Sequence, residues 1–169
     1  SDKLEIAIAG ATGFVGIELI KKLYDHPNAI LKHLFVKESI DEDIYKSLPN
    51  NITDLPKLKK LEIDLIKKCD VFFSALPHAE LHKIAKEIIL DTVIIDLSAD
   101  FRLPDISVYE KWYKIKHESP ELQSQSTYGL SEIFRDKIVK SNLISCPGCY
   151  PTSVLLPLLP LIHNKMIDC

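Results

Sequence analysis

Apolar runs of strand length alternate with stretches of helical spacing through the first hundred residues. A strand is predicted at 4–9, a helix at 14–25 and a second strand at 30–36, followed by a polar, irregular stretch to residue 50. Further strands are predicted at 58–63, 70–75, 92–97 and 142–146. A helix at 78–90 sets Leu81, Ile84, Ala85 and Ile88 on one face. The continuous runs Val71-Phe72-Phe73 and Val93-Ile94-Ile95 suit strands covered on both faces. Between 101 and 125 the periodicity lapses among Pro104, Trp112 and Pro120, which predicts loop with a short helix near 109–115. From residue 147 a turn feeds a leucine-rich helix for which the sequence supplies no packing surface. Strands alternating with helices imply an α/β fold with a mainly parallel sheet.

Composition narrows the partners. With 169 residues, 46% hydrophobic and 27% charged, the chain can bury one ordinary core. A net charge of −3 with interspersed signs offers no footprint for nucleic acid or anionic lipid, so a small-molecule partner is expected. The longest apolar stretch, 154–162, is interrupted by Pro157 and Pro160 and is too short to span a bilayer. The N-terminus passes at once into a strand, without a signal-peptide pattern, and a cytoplasmic location is expected. Cys69, Cys146, Cys149 and Cys169 are expected as reduced thiols, the close pair Cys146 and Cys149 being the candidate exception.

The first candidate chemistry follows the first strand. Gly10-Ala11-Thr12-Gly13-Phe14-Val15-Gly16 is a G-x-x-G-x-x-G loop that opens a helix. Glycines there permit a tight turn and close approach to a pyrophosphate, and free helix N-terminal N–H groups face its charge. This is the context of a Rossmann-type, doubly wound nucleotide-binding sheet. At the end of the second strand, Lys37 and Ser39 favour NADP through its 2′-phosphate, while Glu38 leaves NAD open.

The second is Ser145-Cys146-Pro147-Gly148-Cys149-Tyr150-Pro151-Thr152, a strand running into a helix with Cys149 at its mouth. A helix N-terminus stabilises a thiolate, so Cys149 is a candidate nucleophile, and the same N–H groups can hold an oxyanion. Three other readings compete: a thioredoxin-type dithiol, a zinc site and an inert buried cysteine. The zinc reading lacks a second Cys-x-x-Cys, and no metal is expected. In His78-Ala79-Glu80-Leu81-His82 the glutamate stands one place late for a zincin pattern. His78 is therefore expected near the ligand end of the fourth strand and His82 as a solvated helix residue.

Taken together, the glycine loop, Ala75-Leu76-Pro77-His78, Asp96-Leu97-Ser98-Ala99-Asp100-Phe101-Arg102-Leu103, Tyr128-Gly129-Leu130 with Glu132, and Pro147 to Thr152 resemble the N-acetyl-gamma-glutamyl-phosphate reductases of the semialdehyde dehydrogenase family. The resemblance implies a two-step reaction of arginine biosynthesis. Cys149 attacks an acyl phosphate, phosphate leaves, and NADPH reduces the thioester to a semialdehyde. It implies that Gly10, Thr12, Gly13, Phe14 and Val15 cradle the pyrophosphate, with Leu76, Pro77, His78 and Ser98 near the cofactor. Arg102 is assigned to an anionic substrate group, with a salt bridge to Asp100 or Asp105 as the equal alternative.

The same resemblance divides the chain into a 1–147 NADP-binding domain and, at 148–169, the start of an α+β catalytic and dimerisation domain. The full-length protein is then a homo-oligomer. The family's catalytic histidine lies beyond the cysteine helix, so this chain is expected to bind cofactor without meaningful turnover. Two positions depart from the family pattern: Cys146 where asparagine is usual, and Ser131 where proline is common. The Cys146–Cys149 pair is a candidate reversible disulfide. An aspartate-semialdehyde dehydrogenase-like reductase and a non-catalytic NADP-binding module remain as alternatives.

Overall fold

Period-two alternation in the first two strands divides the core into two layers. In the computed structural model, which describes residues 3–38, 40 and 43–167, β1 (Leu4–Ala9) and β2 (Ala29–Val36) send Ile6, Ile8, Leu34 and Val36 to one face. Ala7, Ala9 and Phe35 go to the other. Ile17 and Ile20 of α1 (Phe14–Leu23) close the first layer, together with Ile44, Leu48 and Ile52 from the segment after β2. α2 (Ile63–Ile66) and α3 (Leu81–Ile88) close the second, setting Ile66, Leu81, Ala85 and Ile88 against Phe72 and Ile94. Each fully buried Ile, Leu, Val or Phe among them contributes about 1.5–3 kcal/mol, so these layers hold the sheet together beneath its loops.

The remaining strands are β3 (Leu58–Lys60), β4 (Val71–Ser74), β5 (Val93–Asp96), β6 (Thr127–Tyr128) and β7 (Leu143–Ser145). The seven lie in the order β3-β2-β1-β4-β5-β7-β6, and every pairing is parallel. α4 (Ile106–Tyr113), α5 (Ser131–Ile138) and α6 (Cys149–His163) complete the described elements. Strand order reverses between β1 and β4. In doubly wound sheets, ligands bind in the crevice beyond the carboxyl ends at such a switch point.

Several elements differ from expectation for identifiable reasons. The helix expected from 78 begins at Leu81, because Ala79 takes φ 66° and breaks the right-handed path. The strand expected at 58–63 ends at Lys60, and Ile63 already starts α2. The short helix expected near 109–115 runs from Ile106 to Tyr113, capped by the Asp105 carboxylate, which accepts from the Ser107 amide at 2.8 Å, and ended by Lys114 at φ 59°. β6 and α5 carried no sequence signal. Cover on both faces of β4 and β5 is partial: Phe72 and Ile94 are buried, whereas Val71, Phe73, Val93 and Ile95 are half-buried. α6 has no buried residue at all.

Candidate cofactor and cysteine sites

The glycine loop is held by main chain alone. The Gly10 and Ala11 amides donate to the Phe35 carbonyl at 3.0 and 3.1 Å, and the Gly13 amide donates to the Gly10 carbonyl at 3.1 Å. Gly10 sits at φ 76°, with the Ala75 carbonyl filling the space a Cβ would need; a Cβ at Gly16 would overlap the Gly10 carbonyl. The loop therefore packs tightly against β4 and its own helix while its outer side stays open. Gly13 is the N-cap of α1 without a side-chain cap, Thr12 is half-buried, and Gly13, Phe14 and Val15 are exposed. The first N–H groups of α1 thus face outward, as an anion site requires.

Beside this loop lies a cavity of about 310 Å³ walled by Ala9, Gly10, Phe35, Val36, Leu61, Leu76, Pro77 and Ile84, with Lys37, Lys60 and Glu80 as its charged groups. Its apolar walls suit a flat ring system, and its two lysines suit a phosphate. Lys60 was not expected from the sequence. It reaches the cavity because β3 pairs with β2 in a register that sets Lys60 against Val36, next to Lys37. Ser39 lies outside the described residues. Ser98 is buried inside a turn, its amide donating to Asp96 Oδ1 at 2.8 Å and its Oγ accepting from the Asp100 amide at 3.2 Å; it lines none of these cavities. His78 is exposed and likewise not a wall; its Nδ1 accepts from the Ala99 amide at 3.2 Å, and its ring lies 5.3 Å from that of Tyr113.

At the far side of the sheet, Cys149 is the exposed first residue of α6, following the N-cap Gly148, which has no side-chain cap. Cys149 is thus not a buried core cysteine in this chain. The thiol lines a cavity of about 500 Å³ with Arg102, Leu103, Tyr113, Tyr128, Gly148, Tyr150 and Pro151. Arg102 Nε donates to the Cys146 carbonyl at 2.7 Å and Nη2 to the Leu97 carbonyl at 2.8 Å. The guanidinium thus pins the turn after β5 to the turn after β7. No ion pair to Asp100 or Asp105 forms among the described residues, which removes that alternative. Nη1 makes none of these bonds and lies beside Gly148.

The neighbouring thiol differs in kind. Cys146 is half-buried, and burial, with the Asp96 carboxylate adding to it, pushes its pKa up to about 11. Its amide donates to the Asp96 carbonyl at 2.7 Å. Burial likewise pushes the Asp96 carboxyl up to about 6, and its Oδ2 finds no partner among the described residues.

His82 corrects its expectation outright. It is completely buried and stacks on His117 with ring centroids 4.6 Å apart. The Glu118 amide donates to His82 Nδ1 at 3.1 Å, and burial lowers its pKa below the usual histidine value. The helical face carrying Leu81, Ala85 and Ile88 extends to it, but an ionisable side chain disguised the burial.

An all-parallel sheet with a backbone-held glycine loop at its switch point defines a dinucleotide-binding domain of the dehydrogenase type. The chain belongs to the semialdehyde dehydrogenase family: residues 5–141 match the family described as "Semialdehyde dehydrogenase, NAD binding domain". It is 44% identical over 170 residues to an N-acetyl-gamma-glutamyl-phosphate reductase of Caldicellulosiruptor saccharolyticus, covering 98% of this chain and 48% of that protein. It is 40% identical over 167 residues to a probable chloroplastic N-acetyl-gamma-glutamyl-phosphate reductase of Oryza sativa, covering 98% of this chain and 40% of that one. The chain spans about half the length of the curated relatives it matches, or less. Among solved structures, an aspartate semialdehyde dehydrogenase with NADP from Candida albicans shares its fold at a TM-score of 0.62 and 17% identity, over 96% of this chain and 48% of the other. Among the described residues, no helix is long and apolar enough to cross a membrane.

Proposed function

We propose that this chain is the cofactor-binding part of a reductase that converts N-acetyl-L-glutamyl 5-phosphate to N-acetyl-L-glutamate 5-semialdehyde with NADPH, releasing phosphate. The observation that carries the reading is the exposed Cys149 at an uncapped helix N-terminus, in one cavity with Arg102. Residues 1–147 then make the cofactor domain and 148–169 begin the catalytic one, in keeping with an α6 that buries nothing. The full-length protein is a homo-oligomer on this reading, and the reaction calls on no metal, membrane or nucleic acid.

The residues fit the cofactor: the outward N–H groups of α1 suit its pyrophosphate, and the cavity beneath Leu76 and Pro77 suits its adenosine end. Lys37 and Lys60 favour NADP by offering two cations to a 2′-phosphate. The Cys149 thiolate attacks the acyl carbon. A carbon–sulfur bond forms, the carbon–oxygen bond to phosphate breaks, and phosphate departs with the electron pair. The N–H groups at the start of α6 stabilise the oxyanion, and Arg102 Nη1 holds an anionic group of the substrate. NADPH, when bound, would supply the hydride for reduction of the thioester, and Cys149 would leave as thiolate when its carbon–sulfur bond breaks.

Two measurements test this. Intact-mass analysis after incubation with N-acetylglutamyl phosphate should show one acyl group on the wild-type chain and none on Cys149→Ser. Aspartyl phosphate should leave the thiol free; equal acylation by both refutes the substrate assignment. Fluorescence titration should show tighter binding of NADPH than of NADH. Semialdehyde production by the 169 residues alone would overturn the expectation of binding without turnover.

A further inference from the structure

A buried polar knot in the described structure lies in neither cavity. Asp100 is buried, with 1% of its surface exposed, and it has no cationic partner among the described residues. A buried carboxylate persists only where donors replace its water. Here Oδ1 accepts from the Ala79 amide at 2.7 Å and from the Tyr109 hydroxyl at 3.0 Å, and Oδ2 accepts from the His82 amide at 3.2 Å. Its main-chain carbonyl meets His117 Nε2 at 2.8 Å, and its amide donates to Ser98 Oγ. Because the Ser119 amide donates to His117 Nδ1, the His117 proton sits on Nε2 and points at Asp100.

Each of these partners leads to a different part of the molecule. Ala79 closes the loop that carries Leu76 and Pro77 to the cofactor cavity, and its left-handed φ of 66° is a strained conformation for a non-glycine residue. The bond to Asp100 holds it there. His82 lies in the first turn of α3, so the carboxylate also serves that helix's N-terminus in place of a cap, which Glu80 does not provide. Tyr109 anchors α4. Two residues along the chain, Arg102 carries the bonds to Leu97 and Cys146 that set the cysteine turn.

We propose that Asp100 is the positioning residue of this domain: one carboxylate fixes the cofactor-facing loop at 76–79 and, through the short segment it shares with Arg102, the turn that presents Cys149. The link from cavity to cysteine turn is two hydrogen bonds joined by a short covalent segment: Ala79 to Asp100, the backbone from Asp100 to Arg102, and Arg102 to Cys146, with the Arg102 bond to Leu97 bracing the guanidinium. Its functional part rests on the reading of the two cavities given above; its structural part does not.

The test compares Asp100→Asn, Tyr109→Phe and a control, Thr92→Val, which removes a buried hydroxyl bonded to the Ile66 and Cys69 carbonyls just before β5, at the opposite end of that strand from Asp100. Asparagine keeps the shape but turns a donor toward donors. Three readouts are taken on the folded chain: backbone hydrogen exchange, NADPH affinity, and the rate at which iodoacetamide alkylates Cys149. Asp100→Asn should speed exchange at both the Ala79 and Cys146 amides by at least tenfold. It should weaken NADPH binding at least tenfold and change the alkylation rate at least threefold. Tyr109→Phe should move all three in the same direction by smaller factors, and Thr92→Val should move none while lowering the melting temperature comparably.

If Asp100→Asn and Tyr109→Phe lower the melting temperature but leave all three readouts at wild-type values, the carboxylate is merely structural and the proposal fails. Should Asp100→Asn not fold, Tyr109→Phe decides alone: wild-type exchange at both amides overturns the idea. A wild-type chain that binds no NADPH sinks the cofactor reading instead, and the exchange data then judge the linkage by itself.

Discussion

The N-termini of α1 and α6 are built on one plan. Gly13 precedes the first at φ −71°, ψ 163°, Gly148 precedes the second at φ −67°, ψ 158°, and neither helix has a side-chain cap. Both follow a strand of the same parallel sheet, so both aim unpaired N–H groups past its carboxyl edge. They diverge in packing. α1 buries Gly16, Ile17 and Ile20 against the sheet, while α6 buries nothing. The same backbone device thus opens a helix packed against the sheet in one place and a helix bearing an exposed thiol in the other, and what separates them within this chain is how much each helix buries.

The largest break in this comparison should come from a single methyl group. Gly16→Ala places a Cβ on the Gly10 carbonyl and the Ala11 backbone, whereas Gly148→Ala meets Pro151 Cδ at 3.3 Å and Arg102 Nη1 at 3.4 Å. Urea unfolding should show a loss of about 3 kcal/mol for the first and about 1 kcal/mol or less for the second. Similar losses at both sites would mean that α6 is seated as firmly as α1.

Thiol chemistry sharpens the contrast next. At pH 8 a cysteine titrating near 11 is about one-thousandth thiolate, so Cys146 and the buried Cys69, also pushed up to about 11, should react with iodoacetamide at least ten times more slowly than the exposed Cys149. Peptide mapping after partial alkylation gives the order directly.

On the α1 side, Lys37→Ala and Lys60→Ala should each weaken NADPH about fivefold while leaving NADH nearly unchanged, the scale of one lost charge-assisted contact at an exposed rim. Equal losses for both nucleotides would place the lysines elsewhere on the ligand.

The smallest effects concern pH, and two groups act with opposite sign. His82 has its folded pKa lowered, so its contribution is complete above about 6.5 and is lost as pH falls below that unfolded value. Asp96 has its folded value raised to about 6, so its contribution is complete below the unfolded value of about 3.9 and is lost as pH rises through 6. Asp96→Asn should therefore raise the melting temperature at pH 8 and have little effect near pH 4. His82→Leu should flatten the decline below pH 6.5.

The two turns were legible in the sequence because each is a local pattern: a strand, small residues at fixed offsets, then a helix. The alternating layers of β1 and β2 were legible for the same reason. Lys60 was not, since it reaches the cavity only through the register of β3 on β2, and nothing near it in sequence signals that partner. The knot around Asp100 was hidden too. It joins residues 79, 82, 100, 109 and 117, which lie on separate loops and helices until the chain closes. Charged and polar residue types concealed the burial of both His82 and Asp100, because surface bias is the default for such side chains.

α6 carries Pro157 and Pro160 in its interior, and a proline nitrogen has no hydrogen to give. The carbonyls of Ser153 and Leu156 therefore lose their i+4 donors, and the distal half of the helix is poorly self-supporting. Its first turn is tied separately: the Thr152 amide and hydroxyl both donate to the Gly148 carbonyl, and Arg102 grips the Cys146 carbonyl just before it. The bonds that position the first turn, from Thr152 to Gly148 and from Arg102 to Cys146, are thus independent of the later turns that the prolines interrupt.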